Sequence, residues 1–285
     1  MPSVQLFSFD IDTSDQTAIN TILAGHGVDP ADLSEEESLT LQANLQRDMI
    51  KAHVAPHVAH DVLPVFLAPE FFFKRADTLP YRRDTFFNIQ PYLNTISASF
   101  PEVLWCLGTV WWQEPQKSGQ AMVHNSALIL QNGRLLHSWQ KERLSQIDGL
   151  RRGPEIWDRH DVAEARVLEA SQDPFFTAAV PGGATVAAGI EICLDHLTLD
   201  GPPVSPGVLR THYLNAHPTG HGAGVDLHIL TAAGMPVQPE NIVSRDGGVF
   251  LRCDGGGGAN PRIQALGVTR TGATPAAALR AWSPT

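Results

Sequence analysis

Short apolar runs of strand length, separated by helical segments and one tight hairpin, restrict this chain to an α/β fold. Val62-Leu63-Pro64-Val65-Phe66-Leu67-Ala68 carries no charge and is closed by Pro69, so it reads as a buried strand. Val4 to Phe9 alternates and reads as a first strand. Val103 to Trp112, Ala163 to Leu168, Thr185 to Ile192 and Val225 to Thr231 also read as strands. Gly247 to Arg252 reads as another, following a turn at Asp246-Gly247. Between Val123–Leu130 and Arg134–Trp139 stands Asn132-Gly133, the strongest short hairpin signal, so these two strands form an antiparallel pair.

Ser34 to Ala59 reads as a long helix. Ser34 is a good N-cap, and Glu37 follows at the spacing of a capping box. Leu39, Leu41, Leu45, Met49, Ile50 and Val54 form its apolar stripe, and Pro56 bends or ends it. Phe86 to Phe100 is also helical in pattern. Residues 75–83 and 145–160 read as loops, and 200–224, rich in Pro, Gly and His, as a long loop with room for one helix. The glycine turn Asp254 to Gly258 lacks the strand–GxGxxG–helix context of a dinucleotide fingerprint.

The residues with chemistry to offer stand just past strands. Glu70 follows Pro69, Lys141 follows the second hairpin strand, and Cys193 follows the run ending at Ile192. They span the chain from 70 to 193 with no repeat or clear linker, so residues 1–285 are expected to form one domain around one composite site.

The formal charge of −10 disfavours a phosphate backbone as partner; Arg151 and Arg152 are only a small basic patch. The cysteines Cys106, Cys193 and Cys253 are odd in number and widely spaced, a poor disulfide framework, and no CxxC pair is present. The first residues have neither the basic nor the apolar segment of a signal peptide, and no stretch approaches the ~20 apolar residues of a membrane helix. The expectation is a cytoplasmic protein whose thiols stay reduced, with no membrane partner.

Thiol catalysis needs a sulfur nucleophile, a base for its proton, a cation for the developing oxyanion and a backbone amide beside it. Cys193, in Gly189-Ile190-Glu191-Ile192-Cys193-Leu194-Asp195-His196, stands at a strand end on a tight turn, where a sulfur can face a cleft. Three segments in this order resemble the nitrilase (carbon–nitrogen hydrolase) superfamily. Phe66-Leu67-Ala68-Pro69-Glu70 is similar to its apolar strand ending in Pro-Glu. Trp139-Gln140-Lys141-Glu142-Arg143-Leu144 is similar to its lysine motif after a hairpin strand. Gly189 to Asp195 is similar to its Gly-x-x-x-Cys-x-Asp segment.

The resemblance implies a four-layer α-β-β-α sandwich, usually a homodimer or higher homo-oligomer, and hydrolysis of a non-peptide C–N bond without a cofactor. Glu70 would then be the general base and later the acid. Lys141 would stabilise the oxyanion together with the N–H of Leu194, and Cys193 would form a thioester. A second glutamate often orients the lysine, and Glu155, in Gly153-Pro154-Glu155, is the candidate. Leu194-Asp195 after the cysteine, where nitrilases carry Trp-Glu, points to an amide or carbamoyl substrate. Nitrile hydrolysis and acyl transfer to an amine remain open on the same triad.

Phe71, His124 with Asn125, Leu194, Asp195 and His196 are candidate pocket walls, and Cys106 and Cys253 read as core. A metal-dependent hydrolase is the alternative from another class. His212, His217 and His221 cluster in the long loop, with Asp195 and His196 upstream, but no HExxH motif or common zinc spacing is present, so no metal is expected. A catalytically silent binding module is the third reading, disfavoured because all three triad residue types are present.

Overall fold

A computed structural model describes residues 3–13, 16–25, 27–77, 79–115, 121–144, 148, 173–199, 204–218, 222, 224–256, 262–270 and 280–281. Arg151, Arg152, Glu155, the expected strand 163–168 and His221 lie outside the described residues.

The described strands form two sheets. The larger contains β1 (Ser3–Asp10), β2 (Val62–Leu67), β3 (Tyr81–Arg82), β4 (Leu104–Pro115), β5 (Ala121–Gln131), β6 (Arg134–Gln140), β11 (Arg262–Arg270) and β12 (Arg280–Ala281). Its order is β12-β11-β1-β2-β4-β5-β6, with β3 beside β4. The smaller sheet, in the order β10-β9-β8-β7, contains β7 (Phe175–Ala179), β8 (Thr185–Ile192), β9 (Val225–Ala232) and β10 (Ser244–Asp254). The helices are α1 (Thr17–Gly25), α2 (Glu35–Met49), α3 (Arg83–Asn88), α4 (Gln90–Ala98) and α5 (Val208–Ala216).

The side-chain period of two along each strand divides the core into layers. On one face of the large sheet Phe7, Phe9, Phe66, Trp105 and Leu128 pack with Ile19 and Leu23 of α1, Leu39 and Ala43 of α2 and Leu93 of α4. On its other face Val4, Leu6, Leu63, Val65, Leu67 and Ile129 meet Ala188, Ile190, Ile192, Leu227 and Leu251 of the small sheet. Behind the small sheet, Leu209 and Tyr213 of α5 pack with Val225 and Val243. The layers are therefore helices, sheet, sheet, helix.

Several local expectations hold. The Asn132-Gly133 turn has positive φ at both residues (51° and 74°), the requirement of a type I′ hairpin. Ser34 and Glu37 form the reciprocal capping box of α2. Past Met49 that helix loosens into a wide turn (Ile50–Val54) and a tight one (Ala55–His57) at Pro56. The helical pattern 86–100 is realised as two helices, α3 and α4, meeting at Ile89. Asp246-Gly247 does not reverse the chain. It lies inside β10, where Gly247 (φ 72°) sits in an irregularity between Ser244 and Val249, and β10 runs parallel to β9. The periodicity of α1 and the short strand β7 went unread. Among the described residues no helix is long and apolar enough to cross a membrane.

Strand direction positions the site. β1, β2 and β4 are parallel; β5 is antiparallel to β4 and to β6, which restores the direction of β2 in β6. Glu70 after β2 and Lys141 after β6 therefore leave the large sheet at one edge. β8, β9 and β10 are mutually parallel, so Cys193, Ala233 and Gly255 leave the small sheet together.

Candidate active site

Glu70 is fully buried, and its backbone is held from several strand ends. Its N–H donates to Ala232 O (3.3 Å) and its carbonyl accepts from Thr13 Oγ1 (2.6 Å). The next amide, of Phe71, donates to Thr109 Oγ1 (2.8 Å). β4 approaches so closely that a Cβ on Gly108 (φ 79°) would lie 2.1 Å from Pro69 O; only glycine fits there. Phe71, at φ 59°, is itself in the left-handed region.

Lys141 Nζ donates to Glu70 Oε1 (2.8 Å) and to both oxygens of Asp148 (3.0 and 2.8 Å). Asn125 Nδ2 donates to Glu70 Oε1 and to Asp148 Oδ1, each at 2.9 Å, so one amide group spans the two carboxylates. The Phe71 ring closes one side, its centroid 5.8 Å from Lys141 Nζ. Trp111, edge-on to Phe71, donates its Nε1 to the carbonyl of Asp148 (3.2 Å).

Cys193 enters from the small sheet with φ 46°, a strained conformation for any residue with a side chain. Its sulfur faces Glu70 and the backbone N–H of Ala233. The structure thus brings Glu70, Lys141 and Cys193 together.

The electrostatics of the three are coupled. Burial raises the Glu70 carboxyl above its ordinary range; Lys141 opposes the shift and Asp148 adds to it. Burial works against the Lys141 ammonium, but Glu70 and Asp148 overcome it and hold the lysine protonated. Burial, and then the Glu70 charge, push the Cys193 thiol well above its ordinary value, with Lys141 pulling the other way. The arrangement suits a protonated thiol beside a carboxylate that is itself paired with an ammonium. It can deliver a sulfur nucleophile only as the carboxylate takes the proton.

Other candidates fall elsewhere. Asp148, not named by the sequence reading, stands against Lys141; it followed the lysine by seven residues in a stretch read as irregular, and only its acidic side chain signalled it. Asn125 and His124 lie on opposite faces of β5. His124 stacks on Trp112 (ring centroids 4.1 Å apart) on the helix side and contacts Gln140, so it does not line the cleft.

Asp195 is not a free pocket wall either. Its carboxylate accepts from the amides of Glu142 (3.0 Å) and Arg143 (2.7 Å) and from Trp139 Nε1 (3.4 Å), joining the segment after Lys141 to the turn of Cys193. Burial pushes this carboxyl up to about 7, against the pull of those amides and Lys141. His196 turns away into a second buried cluster. Leu194 remains beside the nucleophile, half-buried at the start of the turn Cys193–His196. His212, on α5, contacts Glu142, and His217, just past that helix, stacks on Tyr213.

No family model and no curated protein matches this sequence. Among solved structures, a glutamine-dependent NAD+ synthetase from Acinetobacter baumannii is similar at 13% identity, with a TM-score of 0.36, over 81% of this chain and 32% of its own. An N-terminal amidase with a Gln-Gly peptide is similar at 14% identity, with a TM-score of 0.40, over 81% of this chain and 47% of its own. The chain thus spans about a third to a half of these proteins. Its own layers, helices on sheet on sheet on helix with a composite site at the strand ends, are those that the sequence resemblance implied. The fold is a four-layer α-β-β-α sandwich. Within it Glu70, Lys141 and Cys193 arrive from the ends of β2, β6 and β8, so the site exists only when both sheets are packed.

Proposed function

We propose that this chain is a carbon–nitrogen hydrolase that cleaves an amide or carbamoyl compound through a thioester on Cys193. The observation that carries this reading is the convergence of a carboxylate, an ammonium and a thiol in one buried cluster. In the reaction, Glu70 takes the thiol proton as the sulfur attacks the carbonyl carbon. The oxyanion is stabilised by Lys141 Nζ and the N–H of Leu194. Collapse breaks the C–N bond, and the leaving amine receives the proton from Glu70. Water then attacks the thioester, giving its proton to Glu70. The acid leaves, and the proton returns to sulfur. Asp148 and Asn125 keep the ammonium and the carboxylate in place throughout.

Intact mass measurement after brief incubation with a panel of amides, carbamoyl compounds and nitriles tests this. The expected result is an acyl adduct that maps to Cys193 for an amide or carbamoyl compound. No adduct across the panel would overturn the reading, and an adduct from nitriles alone would correct the substrate class. Product analysis separates hydrolysis from acyl transfer.

The pH profile has a determined sign. Only ionised Glu70 can take a proton, and its pKa is raised, so kcat/KM should fall as pH drops through a limb lying above the ordinary glutamate value of about 4.3. Asp148→Asn removes the neighbouring negative charge and should move that limb to lower pH. A rate still level at pH of about 4.3 would remove Glu70 as the base.

A further inference from the structure

Glu191 lies two residues before the nucleophile, on the face of β8 turned away from the large sheet. Ile190 and Ile192 point into the core between the sheets, whereas Glu191 is buried behind them with His196 and His228. Glu191 Oε1 lies 2.5 Å from His196 Nδ1 and 2.8 Å from His228 Nε2. Each ring's other nitrogen faces a backbone amide. Gln238 N–H donates to His196 Nε2 (3.0 Å), and Val243 N–H donates to His228 Nδ1 (3.2 Å).

A backbone amide can only donate, so each nitrogen facing one must be bare. Each ring is then neutral and carries its proton on the nitrogen facing Glu191: Nδ1–H in His196, Nε2–H in His228. Among the described residues this trio is the one group close enough to chelate an ion. The same geometry argues against it. A metal needs the lone pairs on the two inner nitrogens, which would force their protons outward against Gln238 and Val243 N–H. Burial disfavours the Glu191 anion, and the hydrogen bonds from His196 and His228 oppose that.

His196 ends the turn that begins at Cys193, and its carbonyl accepts from Asn241 Nδ2 (2.6 Å). The turn is thus gripped on one side through Asp195 and on the other through His196. Backbone strain such as that at Cys193 persists only where the surroundings over-determine it. We propose that Glu191, acting through the fixed tautomers of His196 and His228, is a positioning residue that holds the Cys193 turn in its attacking conformation. This role rests on Cys193 being the nucleophile, and it assigns a task to a buried cluster that the reaction itself does not touch.

Nitrogen NMR of histidine-labelled protein, with signals assigned through His196→Gln and His228→Gln, should show the two opposite neutral tautomers at neutral pH. An imidazolium, or the reversed tautomer on either ring, would overturn the proposal. Glu191→Leu keeps the bulk but offers no acceptor. It should lower kcat by about 10²-fold with KM changed by less than about threefold, and should slow alkylation of Cys193 by iodoacetamide. Glu191→Gln, whose amide oxygen can accept both N–H groups, should stay within about tenfold of the wild type. A folded Glu191→Leu protein with wild-type kcat and thiol reactivity would refute the role, as would a Gln variant as impaired as the Leu one. If Glu191→Leu does not fold, the Gln variant and the tautomers decide. Failure of the wild-type protein to form any adduct on Cys193 would instead refute the proposed function, and alkylation rates and tautomers would still judge the positioning of the thiol.

Discussion

Cys193→Ala is expected to lower turnover by at least about 10⁴-fold while leaving the protein folded. The carbonyl carbon loses its only sulfur nucleophile in the cluster, and Glu70 is left to activate water without a thioester to attack. The fold should survive because the turn is held by Asp195 and His196, and alanine fits wherever cysteine does. A second substitution tests the backbone. At an ordinary position glycine is less stable than alanine by about 0.5–1 kcal/mol. At φ 46° the side chain itself costs about 1–2 kcal/mol, so the order should reverse. Cys193→Gly should therefore melt at a temperature no lower than Cys193→Ala. Steady-state turnover and thermal melts of the two variants check both halves, and ordinary activity in the alanine variant would end the thiol mechanism.

Lys141→Ala should damage both stability and rate. It leaves Glu70 and Asp148, both fully buried, facing each other across Asn125. Breaking a buried ion pair by removing one partner costs about 3–5 kcal/mol. The loss of an oxyanion donor should lower kcat by at least about 10²-fold. The two effects separate in the double variant Lys141→Ala/Asp148→Asn. Removing one of the stranded charges should restore part of the stability but none of the rate. Urea unfolding and kcat for the single and double variants provide the measurement. A near-normal rate in the single variant would remove Lys141 from the site.

Much of the candidate site was readable because its residues follow apolar runs. Glu70 and Lys141 each follow a strand with a charge that burial alone would reject, and Cys193 follows a strand directly; such strand ends are visible in one dimension. The hairpin was readable for the same local reason, since Asn132-Gly133 supplies two positive φ values at little cost. What failed were choices between neighbours. His124 and Asn125 are adjacent, and the alternation of β5 guarantees that they face opposite ways without saying which faces the cleft. Nothing in the sequence singled out Asp148 as the partner of Lys141, because a loop has no period to fix its direction; Glu155 lies outside the described residues. Asp195 and His196 were read as walls from their closeness to Cys193; backbone amides of other segments claim both instead.

By itself the sequence determined which residues end strands, how the hairpin turns and where helix α2 begins, because these follow from interactions within a few residues. Only the tertiary structure decided which carboxylate meets Lys141, which face of β5 enters the site and what holds Cys193 in a left-handed turn. Those outcomes depend on groups as far apart as Glu70 and Lys141, or Glu191 and His228, being desolvated against one another. The free energy of a buried charge is set by whatever arrives beside it, and no local pattern encodes that arrival.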